Sequence, residues 1–252
     1  MHKTNSNTEP ALLIGIRPLL EAVEAGRDID KIYLQKNLKG QLFQELWSVI
    51  KEHRLPYTVV PKSRLDKFTR QNHQGVLSQL SAVPFQDWRN VLQHVYEQGR
   101  DPLFMVLDRV SDVRNFGAIA RSLEAAGADA LIIGDRNSAA VNADAMKTSA
   151  GALQHLPLCR EHNLNDTLRE MRESGLRVIG VTEKAERTAF ENDLAGPLAL
   201  VMGAEDKGIA PERLKLCDEL AKLPLSGKVK SLNVAVAAGA IIFETIRQRN
   251  SY

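Results

Sequence analysis

From Leu103 onward five short runs, LFMVL, ALII, LRVIGV, LALVM and AKLPL, are apolar without alternation. A strand with one wet face alternates polar and apolar residues, whereas a strand covered on both faces reads as a continuous apolar run. Helical spacing fills most of the intervals, over residues 117–126, 143–152, 164–174 and 232–249. Strands alternating with helices predict an α/β fold with a parallel sheet covered on both sides. Open sheets of this kind bind ligands beyond the carboxyl ends of their strands. Three segments fall there: DRVSDVRNFGAIARS after the first run, GAEDKGIAPE after LALVM, and SGKVKSLN after AKLPL. Each is rich in glycine or polar groups, so their convergence predicts the site.

The N-terminal part has a different texture. Residues 15–25 have helical spacing, KIYLQ reads as a strand, 41–52 as a helix and YTVV as a strand. Ser63 is expected to cap a short helix, and GVLSQLSAV returns as a strand. This predicts a small α/β domain over 1–84, an amphipathic connector helix within 85–101 carrying Trp88, Val91, Leu92 and Val95, and a larger domain over 102–252. A chain of 252 residues buries about 70–75% of its unfolded surface and needs no disulfide or metal staple.

The two cysteines, Cys159 and Cys217, fit no metal or redox spacing and imply a reduced, cytosolic protein without a metal. Residues 1–10 are polar and show no signal sequence. The longest apolar run, 234–243, is too short to span a bilayer and reads as a buried helix. Net charge is only +2, but residues 1–85 hold twelve Lys and Arg against eight Asp and Glu. That excess reads either as a nucleic-acid-facing module or as a solvated face.

Familiar catalytic motifs are absent. No G-x-G-x-x-G follows a strand, and Gly203 to Gly208 has P-loop spacing with Ile209 and Ala210 where Lys and Ser or Thr are required. The six histidines form no zinc or Ser-His-Asp pattern. There remain Asn115, Arg121, Glu205, Ser231 and Asn233 at the strand ends. Taken singly, Arg121 also reads as a snorkelling side chain, Glu205 as a loop acid and Ser231 as a helix N-cap. Asn233 is harder to dismiss, because an amide in the first turn of an apolar helix must find partners or cost about 1–3 kcal/mol.

Read together, NFGAIARSLEAAG, LALVMGAEDKG and LPLSGKVKSLNVAVAAGAIIFE resemble the three motifs of the SpoU/TrmH branch of the SPOUT RNA methyltransferases, in order and at similar separation. The N-terminal part is similar to the ribosomal-protein-like substrate-binding domain that many members carry. The resemblance implies a deep C-terminal trefoil knot, S-adenosylmethionine held in the knotted loops, a homodimer formed through the C-terminal domain, and methylation of a ribose 2′-hydroxyl in structured RNA. By motif position it assigns Gly203, Leu223 and Leu232 to the cofactor, with Thr182, Met202 and Gly208 beside them, and Gly227 to a backbone wrapped around the adenosyl group. Asn115, Arg121, Glu205, Ser231 and Asn233 become the catalytic cluster. One departure is visible: Asp112-Val113 stands where many relatives have Asp-Pro.

In that scheme Arg121 either takes the hydroxyl proton or positions the ribose and stabilises the alkoxide, oriented by Glu205 and Asn115, while Ser231 and Asn233 order the loop. A guanidinium is almost always charged, which favours the second role. The N-terminal domain is expected to choose the RNA, with Arg17, Lys62, Arg64, Arg70 and His73 as candidate backbone contacts. GIRPLLEAV and HQGVLSQL look most like members acting on a guanosine of large-subunit ribosomal RNA, with transfer RNA as the runner-up. A non-catalytic RNA-binding assembly factor on the same scaffold is the rival outside enzymes.

Overall fold

The computed structural model describes residues 12–229 and 231–250; the polar stretch 1–10 lies outside the described residues. The chain divides into two compact units, Met1–Pro84 with Ala140–Ala143, and Phe85–Ala139 with Asp144–Tyr252.

The first unit runs β1 (Leu12–Ile14), α1 (Ile16–Glu24), β2 (Ile29–Gln35), α2 (Gln41–Glu52), β3 (Tyr57–Val60), α3 (Lys62–Leu65) and β4 (Val76–Leu80). Its sheet has the order β1-β4-β2-β3, with only β2 and β3 parallel. Alternation along β2 decides the layers. Ile32 and Leu34 pack with Leu19, Leu46 and Ile50 of α1 and α2. Tyr33 faces the other way, with Leu77, Val60 and the Leu65 of α3. Ser63 does not cap α3. Pro61 holds the N-cap position, its ring fixing φ at −63°, and Ser63 lies within the first turn.

The second unit runs α4 (Trp88–Glu97), β5 (Leu103–Asp108), α5 (Val113–Ala125), β6 (Ala130–Gly134), α6 (Ala143–Thr148), β7 (Leu158–Glu161), α7 (Leu164–Glu173), β8 (Arg177–Val181), β9 (Leu198–Gly203), α8 (Pro211–Leu214), β10 (Glu219–Ala221) and α9 (Val234–Arg249). Asp87 caps α4 by accepting from the Arg89 N–H at 2.9 Å. Trp88 and Leu92 of this helix join the core of this unit with Phe104, Leu168 and Val178. All six strands are parallel, in the order β10-β8-β9-β5-β6-β7. Every residue of β5 and β6 is buried, which is what their unbroken apolar runs require. The sixth strand, β7, is half polar because it lies at the sheet edge.

Three helices differ from the sequence expectation. Asp112 accepts from the Asn115 N–H at 2.8 Å, so α5 begins at Val113 rather than at 117. Residues 143–152 are not one helix, since Ala150 and Gly151 adopt positive φ of 51° and 86° and break it. Finally, α9 is buried on one face only: Ala238, Ile241, Ile242 and Thr245 are enclosed, while Val236 and Phe243 are 57% and 51% exposed. Among the described residues no helix is long and apolar enough to cross a membrane.

Candidate active site

Parallel register brings the three loops together. Asp108 at the end of β5 pairs with Gly203 at the end of β9, Met202 with Val181 of β8, and Val181 with Ala221 of β10. The segments that follow therefore leave the sheet side by side at its carboxyl edge, and the Thr182 N–H bonds the Ala221 carbonyl at 2.9 Å. The loop after β9 turns back at once: the Gly208 N–H donates to the Ala204 carbonyl at 2.7 Å. Only glycine fits at 203, because a Cβ there would stand 2.0 Å from the Gly208 carbonyl carbon and 2.1 Å from the Ile209 nitrogen.

A buried carboxylate braces this loop from below. Asp108 accepts from the Ala210 N–H at 2.6 Å, from Arg109 at 3.0 Å and from Arg213 at 3.1 Å. Arg109 also donates to the Gly208 carbonyl at 3.2 Å and holds a positive φ of 63°. Asp108 and Arg109 were not singled out from the sequence. The available signal was an Asp-Arg pair ending a strand otherwise apolar throughout.

At the mouth, three segments far apart in sequence meet on one oxygen. Glu205 Oε1 accepts from Asn115 Nδ2 at 3.0 Å, from Asn233 Nδ2 at 2.5 Å and from the Val234 N–H at 3.3 Å. Asn233 Nδ2 also donates to Asn115 Oδ1 at 3.1 Å. The other end of the Asn233 amide caps α9, its Oδ1 accepting from the N–H groups of Ala235 and Val236 at 2.9 and 3.3 Å. Asn233, not Ser231, is thus the N-cap, and it satisfies two of the four orphan donors of the helix. A carboxylate at a helix N-terminus is also favoured by the macrodipole, by about 0.3–1 kcal/mol.

Behind this cluster lies a cleft of about 460 Å³. Six of the seven residues assigned to the cofactor, Thr182, Met202, Gly203, Gly208, Leu223 and Leu232, line it, together with Glu205 and Ser231. Its volume falls within the range of about 300–1,000 Å³ that suits small ligands. Its walls combine apolar Val181, Met202, Leu223 and Val234 with polar Thr182, Lys184, Glu205 and Ser231, a lining that suits a ligand with both apolar and polar parts. Gly227 is exposed and does not line the cleft.

Not every assigned residue joins. Arg121 is on the exposed face of α5 and makes no hydrogen bond or ion pair among the described residues; neither Asn115 nor Glu205 bonds it. In the first unit Lys62, Arg64 and Arg70 are exposed around α3, whereas Arg17 is on α1, which covers the opposite face of the sheet. His73 is not a surface cation. It is 5% exposed, its Nδ1 accepts from the Gly75 N–H at 2.9 Å, and its Nε2 bonds Asp66 at 2.9 Å. Both ring nitrogens are committed to closing the loop before β4, so His73 is structural.

The SpoU rRNA methylase family model matches residues 102–243, and a model for the RNA 2′-O ribose methyltransferase substrate-binding domain matches residues 12–86. The chain is 38% identical over 223 residues to the 23S rRNA (guanosine-2′-O-)-methyltransferase RlmB of Pseudomonas aeruginosa, covering 88% of this chain and 89% of that one. Its structure resembles the SpoU methyltransferase AviRb from Streptomyces viridochromogenes, crystallised with AdoMet, at 26% identity and a TM-score of 0.61, covering 99% of this chain and 96% of that one. It also resembles the A. aeolicus TrmH/SpoU tRNA modifying enzyme, at 26% identity and a TM-score of 0.55, over 65% of this chain and 84% of that one. The strand-end cleft occupies the segments that the first model spans, and the chain belongs to the SpoU rRNA methylase family.

Proposed function

We propose that the chain transfers a methyl group from S-adenosylmethionine to a ribose 2′-hydroxyl, with a guanosine of large-subunit ribosomal RNA, in the cytoplasm, as the target. The observation that carries this reading is the Asn115–Glu205–Asn233 cluster closing the mouth of a cleft lined by six of the seven residues assigned to the cofactor. The guanosine follows the likeness to RlmB of Pseudomonas aeruginosa. Transfer RNA is the second reading, favoured by the likeness to the A. aeolicus enzyme.

Bound in the cleft, S-adenosylmethionine supplies an electrophilic methyl on a sulfonium. The chain's own residues do the rest. Met202, Leu223 and Leu232 pack the apolar parts of the ligand, and the loop braced by Asp108 presents its backbone at Gly203 and Gly208. Asn115 and Asn233 fix Glu205 at the mouth, so the ribose approaches a rigid rim. Holding the reactants in line is worth about 7–11 kcal/mol at best. Arg121 stabilises the oxygen as it loses its proton to water.

The family's trefoil knot over the segments from β8 to α9 belongs to this reading, supported by the out-of-order run β10-β8-β9. So does a homodimer. Val236 and Phe243 stand seven residues apart on the exposed face of α9, which packs along α5, the helix of Arg121. A second copy covering that face brings Arg121 to a shared boundary. Phe243→Glu is expected to give a monomer in sedimentation equilibrium; a dimer unchanged in that variant contradicts the assigned face. Maps of ribose methylation in total RNA from cells with and without this protein test the function itself. One 2′-O-methyl position in large-subunit RNA should vanish; identical maps would overturn the reading.

A further inference from the structure

The first unit carries a basic surface that the active site does not use. Lys62, Arg64, Lys67 and Arg70 are exposed on α3 and the turn after it, and none has an ion-pair partner among the described residues. The one acid among them, Asp66, is engaged by His73. In their midst stands Phe68, 47% exposed, with its ring centroid 5.2 Å from that of Tyr33 at a tilt of 31°. Tyr33 is anchored from behind by Val60, Leu65 and Leu77, and Lys31 Nζ lies 5.7 Å from its ring centroid.

The arrangement is costly for stability alone. A phenylalanine half in water adds little to the core, and four unpaired cations within nine residues repel one another. It suits single-stranded nucleic acid well. Such sites pair an aromatic face, on which any base can stack, with cations that follow the phosphates. An acidic peptide would satisfy the cations but has no use for a backed, outward-facing ring.

We propose that Phe68, held by Tyr33, is the stacking platform for one unpaired base of the RNA substrate, with Arg64 and Lys67 on the flanking phosphates. The inference rests on the RNA methyltransferase reading and adds to it the kind of RNA the first unit grips: an unpaired nucleotide rather than a duplex. Stacking is tolerant of base identity, so this contact positions the RNA and leaves the choice of target nucleotide to other contacts.

Full-length Phe68→Ala, Phe68→Leu and Phe68→Trp test it against two probes, a short unstructured oligoribonucleotide and inorganic polyphosphate. Phe68→Ala and Phe68→Leu should each lower affinity for the oligoribonucleotide by about 5- to 150-fold and leave polyphosphate binding unchanged. Phe68→Trp should keep RNA affinity, and its added fluorescence over that of the wild type should be quenched by RNA but not by polyphosphate. Arg64→Ala should instead flatten the salt dependence of RNA binding, by about 0.7 in log–log slope. Wild-type RNA affinity in Phe68→Ala or Phe68→Leu overturns the platform, and so does an equal loss for both probes. The parent reading fails separately, if wild-type protein transfers no methyl to RNA; a working enzyme with an indifferent Phe68 sinks the platform alone.

Discussion

Gly203→Ala is the smallest change that probes how the cleft is built. The added methyl carbon would lie 2.0, 2.1 and 2.3 Å from the Gly208 carbonyl carbon, the Ile209 nitrogen and the Gly208 carbonyl oxygen, all of them backbone. No rotamer relieves that contact, so residues 208–209 must retreat by about 1 Å. The retreat strains the Gly208-to-Ala204 bond, the Arg109 contact with the Gly208 carbonyl, and the Ala210-to-Asp108 bond. It also shifts Glu205, which is tied to two other loops. Overpacking of this kind costs about 1–3 kcal/mol, or about 2–12 °C in Tm for a chain of this size. A misplacement of about 1 Å costs on the order of 100-fold in turnover. Gly208→Ala is the control: a Cβ there meets nothing within 4 Å, and the cost is confined to its φ of +62°, about 1–2 kcal/mol. Calorimetric titration with S-adenosylmethionine, thermal melts and single-turnover transfer on both variants separate the effects. The predicted order of damage is Gly203→Ala well beyond Gly208→Ala. Wild-type cofactor affinity and turnover in Gly203→Ala would refute the steric account of the cleft.

Arg121→Ala should lower methyl transfer by about 100- to 10,000-fold with cofactor affinity and Tm retained; wild-type single-turnover rates count against its role. Asn233→Ala removes the cap of α9 and should cost about 0.5–2 kcal/mol in a urea melt, along with activity. Asn233→Asp can still cap the helix but sets a second carboxylate against Glu205, so stability should recover while transfer does not. Both thiols are held protonated by burial, Cys159 and Cys217 being pushed up from 9.0 to about 12. Unfolded thiols ionise near pH 9, so the stability linked to these groups is complete below pH 9 and declines as pH climbs toward 12. The urea midpoint should fall between pH 7 and pH 10, and fall less in Cys159→Ala; an equal drop in both proteins contradicts the assignment.

Much of the second unit was legible because its strands are buried on both faces. Continuous apolar runs named four of the six strands of the sheet; AKLPL meets the edge strand β10, Glu219–Ala221, only at Ala221, and the other edge strand β7 escaped because LCRE is half polar. The convergence of three loops was legible too, since parallel register forces successive strand ends to one edge. Their mutual bonding was not. That Asn233 bridges Glu205 and Asn115 depends on α9 starting at Val234, a boundary set by the asparagine itself. His73 was misread because a histidine in a polar loop looks like a surface cation, and only the fold shows both ring nitrogens in use. Phe68 was overlooked for the opposite reason. A lone aromatic among charges reads as noise until Tyr33 is found beneath it.

The most direct test is to incubate the purified chain with methyl-labelled S-adenosylmethionine and undermethylated large-subunit RNA, then digest the product to nucleosides. Label should be recovered in a single species, 2′-O-methylguanosine, at an initial rate about 100- to 10,000-fold lower in Arg121→Ala. Label on a base, or no label from the intact protein, would contradict the assigned reaction.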